Sequence, residues 1–176
     1  LRWLGLEWDE GPLVGGPYKP YIQTERKAIY LEWAKKLINQ GRAYADDTTP
    51  EQIEQYRKND QANKIPYLYR NHRPKNPPIW HEGLPIRFKT IPKEYSWHDE
   101  VMGDLHTGPE VCDDIILIKG DGLPTYNFAH IIDDTLMKCT HITRGVEYLS
   151  STPNYLALYD ALDFPRHIFV SLPHIL

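Results

Sequence analysis

The 176-residue chain has a mass of 20.6 kDa, which suits one ordinary domain or two small ones. Hydrophobic residues at 41% and charged residues at 25% describe a globular chain rather than a disordered one, and no run approaches the ~20 apolar residues of a membrane span. The net charge of -4 excludes a wholly basic polyanion binder while leaving room for a local basic patch. Cys112 and Cys139 are too few for a disulfide scaffold and lack Cys-x-x-Cys spacing, so a reducing, cytoplasmic setting is expected. Residues 1–6 carry neither a basic n-region nor an apolar h-region, so no signal peptide is expected. The 12 Tyr and 5 Trp outnumber the 4 Phe, and rings with a polar edge suit half-wet surfaces and base stacking as well as cores.

Residues 1–6 read as the tail of a helix stopped by Gly5, and the glycines and prolines of 9–17 as a loop. Thr24 is the expected N-cap of a helix running to about Gln40, with Tyr30, Ala34, Leu37 and Ile38 at helical spacing and Gly41 closing it. Thr49, Pro50 and Gln52 predict a capping box that opens a helix ending near Lys58. Residues 59–83 show no periodicity and hold several prolines. Strands are expected at 86–89 and 114–119, a helix at 125–136, a strand at 141–143, a capped helix from Ser151 and a strand at 167–171. The closing strand, helix and strand make a βαβ unit, which requires a parallel sheet. The fold class is therefore α/β at both ends with an antiparallel α+β insert between them. So small a parallel sheet is expected to be completed by strands upstream of Leu1.

Three constellations carry chemistry. His130, Asp133, Asp134 and His141 have donors for a metal, but only His130 and Asp134 share a helix face, and a helix end with acidic caps accounts for them as well. Lys64, Arg70, Arg73 and Lys75 interleave with Tyr67 and Tyr69, combining cations for phosphates with rings for unstacked bases; a solvated loop is the alternative. Arg144 directly follows a predicted parallel strand, the place where open α/β sheets bind ligands, and a guanidinium suits a carboxylate. Glu147, Tyr148 and Tyr126 share its neighbourhood, with a surface salt bridge and simple packing as the alternatives.

The chain resembles the glutamyl-tRNA synthetases, which are class I aminoacyl-tRNA synthetases. The matching stretches begin with Arg2-Trp3-Leu4-Gly5-Leu6, Trp8-Asp9-Glu10-Gly11-Pro12, Gly15-Gly16-Pro17-Tyr18 and Gln23-Thr24-Glu25-Arg26. They continue with Ile86-Arg87-Phe88-Lys89, Asp121-Gly122, Pro124-Thr125-Tyr126-Asn127-Phe128-Ala129, Asp133-Asp134, Arg144-Gly145 and Ser151-Thr152-Pro153. The resemblance implies a partial Rossmann-type catalytic core, residues 1–43 and 124–176, interrupted by an acceptor-end-binding α+β insertion at 44–123. It implies glutamate contacts at Tyr126, His130, Arg144 and Tyr148, and an ATP or terminal-adenosine side at Glu147 and His174. The tRNA surface then falls on Lys64, Tyr67, Tyr69, Arg70, Arg73 and Lys75.

The implied activity is ATP-dependent attachment of glutamate to tRNA through a glutamyl-adenylate, with ATP and Mg²⁺ as the substrate complex and no catalytic side chain in this segment. The implied partners are tRNA, glutamate and ATP, with no membrane, and a cytoplasmic monomer is expected. The chain departs from the family pattern in several places. The two nucleotide-binding signatures belong before Leu1 and after Leu176, so an internal fragment, inactive alone, is expected. Met102-Gly103 replaces an Arg-Gly pair, and Ala45-Asp46-Asp47-Thr48 has no cysteine, so no zinc is expected. His130 and Tyr148 occupy positions that vary within the family. A glutaminyl-tRNA synthetase, the related enzyme that glutamylates queuosine in tRNA, and a non-catalytic RNA-binding paralogue are the alternatives.

Overall fold

A computed structural model describes residues 2–173 of the chain; His174 lies outside them. The elements are α1 (Lys27–Asn39), β1 (Ala43–Ala45), α2 (Pro50–Ala62), β2 (Ile86–Phe88), β3 (Tyr95–Asp99) and β4 (Gly103–Thr107). β5 (Ile116–Ile118), α3 (Tyr126–Leu136), β6 (His141–Gly145), α4 (Thr152–Leu162) and β7 (Ile168–Leu172) follow.

Helix α1 starts two residues later than Thr24 as its N-cap predicts. Residues Gln23–Arg26 form a 3-10 turn, and no side chain caps the helix. Arg26 explains the delay, because its buried guanidinium donates to the carbonyls of Tyr18 and Pro20 and to Asp133 Oδ1 at 2.8 Å. The other end is as expected. Gly41 at φ 68° lets its own N–H reach the Ile38 carbonyl and the Arg42 N–H reach that of Leu37, satisfying two carbonyls the helix would otherwise leave open. At the head of α2 the capping box forms: Thr49 Oγ1 accepts from the Gln52 N–H, and Gln52 Oε1 accepts from the Thr49 N–H. This helix runs four residues past Lys58 because Lys64, in the left-handed region at φ 55°, closes it with the same pair of backbone bonds.

The described strands make two sheets. β1, β2 and β5 pair antiparallel, in the order β1-β2-β5. The second sheet has the order β4-β3-β7-β6, with β6 and β7 parallel over five residue pairs. The βαβ unit is present as predicted. The β3–β4 hairpin was not legible, and it extends the parallel sheet rather than the antiparallel one, through Asp99 beside Phe169. Asp99 fixes that junction: its buried Oδ1 accepts from the backbone N–H groups of Val101, Met102 and Ser171. Gly103 takes φ 77° at the same tight turn.

The core sits between the sheets and helices α1, α3 and α4. Tyr30, Ala34 and Leu37 of α1 meet Phe128, Ile131 and Ile132 of α3. Helix α4 buries nine of its 11 residues, so it is apolar on nearly every face. Tyr30 Oη donates to Asp133 Oδ2 at 2.6 Å, joining α1 to α3. No described helix is long and apolar enough to cross a membrane.

Candidate functional site

Strand β6 carries Arg144 to the C-terminal end of the parallel pair, beside Ser171 of β7. The chain then turns through a 3-10 segment (Val146–Ser151) into α4. This turn brings Tyr148 back over Arg144, α4 supplies Tyr155, and the first turn of α3 supplies Tyr126. The Arg144 guanidinium carbon lies 5.3 Å from the Tyr155 ring, 5.4 Å from Tyr148 and 6.0 Å from Tyr126. Tyr126 and Tyr148 face each other at 5.5 Å, and the His130 ring packs edge-on to Tyr155 at 4.6 Å. Sequence reasoning proposed Tyr126, His130, Arg144 and Tyr148 for one pocket, and the fold brings all four together. It also adds Tyr155 of α4, which the sequence does not single out. Tyr155 Oη donates to Asn127 Oδ1 and so fixes α4 against α3.

No carboxylate faces the Arg144 guanidinium among the hydrogen bonds and ion pairs of the described residues. Nη2 lies 3.3 Å from His130 Nδ1, and Nη1 is buried without a partner among the described residues. Burial pushes the His130 imidazole below its ordinary value; Asp134 pulls it back up, while the Arg144 charge lowers it further. His130 Nε2 is also buried and unpartnered among the described residues. A half-buried cation ringed by aromatic faces, with a donor unused among the described residues, is suited to an incoming carboxylate.

The acidic pair of α3 divides its work. Asp133 binds Arg26 and Tyr30, whereas Asp134 stands 3.3 Å from His130. His141 is exposed and pairs with Thr140 Oγ1. Among the described residues no three His, Cys, Asp or Glu side chains are grouped to hold a metal ion. Glu147 is exposed at the start of the turn after β6, and its carboxylate lies where a Cβ on Gly145 would collide with it. His174, expected beside the adenosine, falls outside the described residues.

The basic segment behaves differently. Tyr69 is buried at 2% exposure, with its Oη on Asp46 Oδ1 and Thr48 Oγ1, each at 2.7 Å, and the Arg87 guanidinium 3.5 Å from its ring. Arg70 donates to the Pro109 and Cys112 carbonyls. Arg73 grips both oxygens of the buried Asp114 and the Thr90 carbonyl. These three side chains, for which RNA contact was the expectation, are engaged inside the fold, with Tyr69 buried and Arg70 and Arg73 half-buried. Lys64 and Lys75 remain exposed and have no ion pair among the described residues. Tyr67 is half-buried against His72 and Arg57.

A family model for class I tRNA synthetases (E and Q), catalytic domain, matches residues 1–176. The chain belongs to this family. Among class I synthetases of this type, the glutamate–tRNA ligase of Clostridium botulinum strain Hall is 45% identical over 184 residues, covering 100% of the chain and 38% of the relative. That of Sulfurihydrogenibium sp. is 40% identical with the same coverage. The crystal structure of glutamate-tRNA synthetase from Elizabethkingia anophelis superposes with a TM-score of 0.86 at 33% identity, over 99% of the chain and 38% of that structure. A glutamate tRNA ligase from Elizabethkingia meningosepticum, solved in complex with its amino acid, matches equally. The chain thus spans 38% of the length of these synthetases.

Proposed function

We propose that the chain supplies the amino-acid pocket and acceptor-end surface of a glutamate–tRNA ligase, which joins glutamate to ATP as an adenylate and passes it to the terminal adenosine of tRNA. The observation that carries this reading is the Arg144 guanidinium, held among three tyrosine rings with Nη1 buried and unpartnered among the described residues. A carboxylate entering the pocket gains a charge-assisted bond there without displacing an internal partner. Tyr126, His130 and Tyr148 wall the pocket, and Glu147 and His174 are assigned to the nucleotide side.

ATP enters as its Mg²⁺ complex, and the segment needs no acid or base of its own. Attack of the amino-acid carboxylate on the α-phosphate, which breaks the α–β phosphoanhydride bond and releases pyrophosphate, is promoted by alignment and charge neutralisation. Residues 44–123 form the acceptor-end insertion in this reading, with 1–43 and 124–176 as the interrupted catalytic core. The antiparallel β1-β2-β5 sheet supports it, although the β3–β4 hairpin of the same stretch joins the catalytic sheet. Lys64, Tyr67 and Lys75 are the remaining candidates for RNA contact. The enzyme is a cytoplasmic monomer without structural zinc.

The test is amino-acid-dependent ATP–pyrophosphate exchange by the complete enzyme, with tRNA present and with glutamate or glutamine offered separately. Exchange with glutamate alone supports the reading. Exchange with glutamine alone moves the chain to the glutamine branch of the family, and exchange with neither removes the catalytic reading.

A further inference from the structure

The His130 ring makes two contacts that one neutral imidazole cannot satisfy together. Its Nδ1 lies 3.3 Å from Arg144 Nη2 and 3.3 Å from Asp134 Oδ2. A guanidinium only donates and a carboxylate only accepts. Nδ1 therefore serves Arg144 when it is bare and Asp134 when it carries a proton. We propose that His130 is a positioning residue: its bare Nδ1 holds the Arg144 guanidinium in place for a substrate carboxylate, and a proton on Nδ1 transfers that nitrogen to Asp134 and releases Arg144. The inference rests on Arg144 being the carboxylate-binding group.

The surroundings favour the tethered form near neutral pH. Facing the ring are Asp134 and Tyr126 from α3, Arg144 from β6, Tyr155 from α4, and His167 ahead of β7. Tyr148 and Tyr159 border the same cluster. Asp134 is the one carboxylate of the group, and it competes with the Arg144 charge for the same nitrogen. Burial lowers the imidazole pKa from its ordinary value, which favours the neutral ring. With Nδ1 accepting from Arg144, the ring proton sits on Nε2. In acid both nitrogens are protonated; the Asp134 contact strengthens, and two like charges face each other where a hydrogen bond stood.

The test uses the complete enzyme and reads the KM for glutamate against pH. Glutamate's own carboxyl groups titrate alike in the wild type and in His130→Gln, so the difference between the two profiles is what reports His130. KM is expected to be flat above the His130 transition and to rise about tenfold as the pH falls through it, with kcat less affected, as fits the loss of one charge-assisted hydrogen bond. His130→Gln supplies an amide oxygen that accepts from Arg144 without titrating, so whatever KM it sets at neutral pH, the acid rise should be abolished. Asp134→Asn removes the charge that raises the His130 pKa, so the transition should move to lower pH. Nitrogen NMR of histidine-labelled wild-type enzyme should report the Nε2–H tautomer at neutral pH, whatever the variants do.

A wild-type profile that superposes on that of His130→Gln, or an Nδ1–H tautomer at neutral pH, overturns the proposal. Absence of glutamate binding at every pH, with the Nε2–H tautomer present, instead overturns the reading of Arg144 on which the proposal depends.

Discussion

Arg73 and Arg144 are both partly buried arginines, yet their surroundings give them opposite tasks. Arg73 meets a fully buried carboxylate, Asp114, with two of its nitrogens, and Asp114 also accepts from Tyr44 Oη and the Thr90 N–H. Arg144 meets three aromatic rings and one weak imidazole contact. Where the carboxylate is built in, the cation holds chain to chain, here joining the proline-rich segment to the approach of β5. Where rings hold the cation and no carboxylate of the described residues faces it, the charge is the one proposed to meet a ligand. Residue type and sequence neighbourhood do not separate these cases; the identity of the facing group does.

The largest expected effect tests the structural side of this contrast. Asp114→Ala strips partners from a partly buried guanidinium, a hydroxyl and a backbone N–H at once, and should cost about 3–5 kcal/mol in urea unfolding. A loss below about 1 kcal/mol would mean that the segment is not clipped by this pair, and would return Arg73 to the list of RNA contacts.

Arg144→Ala tests the other side. In the complete enzyme it should lower kcat/KM for glutamate about 10- to 150-fold, the worth of a hydrogen bond to a charged group, while the unfolding midpoint hardly moves. Arg144→Lys should recover only part, because an ammonium lacks the planar fork. Full activity in Arg144→Ala would place the two arginines in the same structural class.

A smaller effect is expected from the exposed cations. Replacing Lys64 and Lys75 together by Ala should weaken tRNA binding and reduce the salt slope by about 1.4–1.8 if both meet phosphates. Arg70→Ala should leave that slope unchanged, since its donors serve backbone carbonyls. Equal slopes in the wild type and the double variant would show that the segment is a structural clip only.

The smallest effect is a pH dependence of stability at Asp46. Burial opposes its charge, but hydrogen bonds from Thr48, Tyr69 and Arg87 outweigh it and hold the carboxyl below 3.8. The unfolded chain therefore binds the proton first, so this contribution is complete above the ordinary value of 3.8 and is lost as the pH falls through the lower folded value. Asp46→Asn should flatten the acid limb of a stability–pH curve; an unchanged limb would assign acid sensitivity to other groups.

Much of the local structure was legible in the residues alone. Gly41 and the Thr49–Gln52 capping box mark helix ends because they satisfy backbone groups only a few residues away, and such closures depend on no distant partner. The βαβ order and the position of Arg144 after its strand were readable for the same reason: a parallel crossover restricts where the strand ends can lie. Strands β1, β3 and β4 were missed because they are three to five residues long and lack a clean alternation, and β3 is secured by Asp99 bonding to Ser171, 72 residues away. The late start of α1 likewise depends on Arg26 meeting Asp133, 107 residues distant.

The sequence by itself determined which side chains carried charge and which turns closed on themselves, since both follow from residue type and short spacing. Only the tertiary structure decided which charges were free to act. Asp114 lies 41 residues from Arg73, and no spacing rule brings them together, whereas β6, α3 and α4 enclose Arg144 with tyrosines instead of a carboxylate. Desolvation makes the difference physical: a buried cation is either neutralised by the fold or left to attract a ligand, and that outcome depends on packing across the chain.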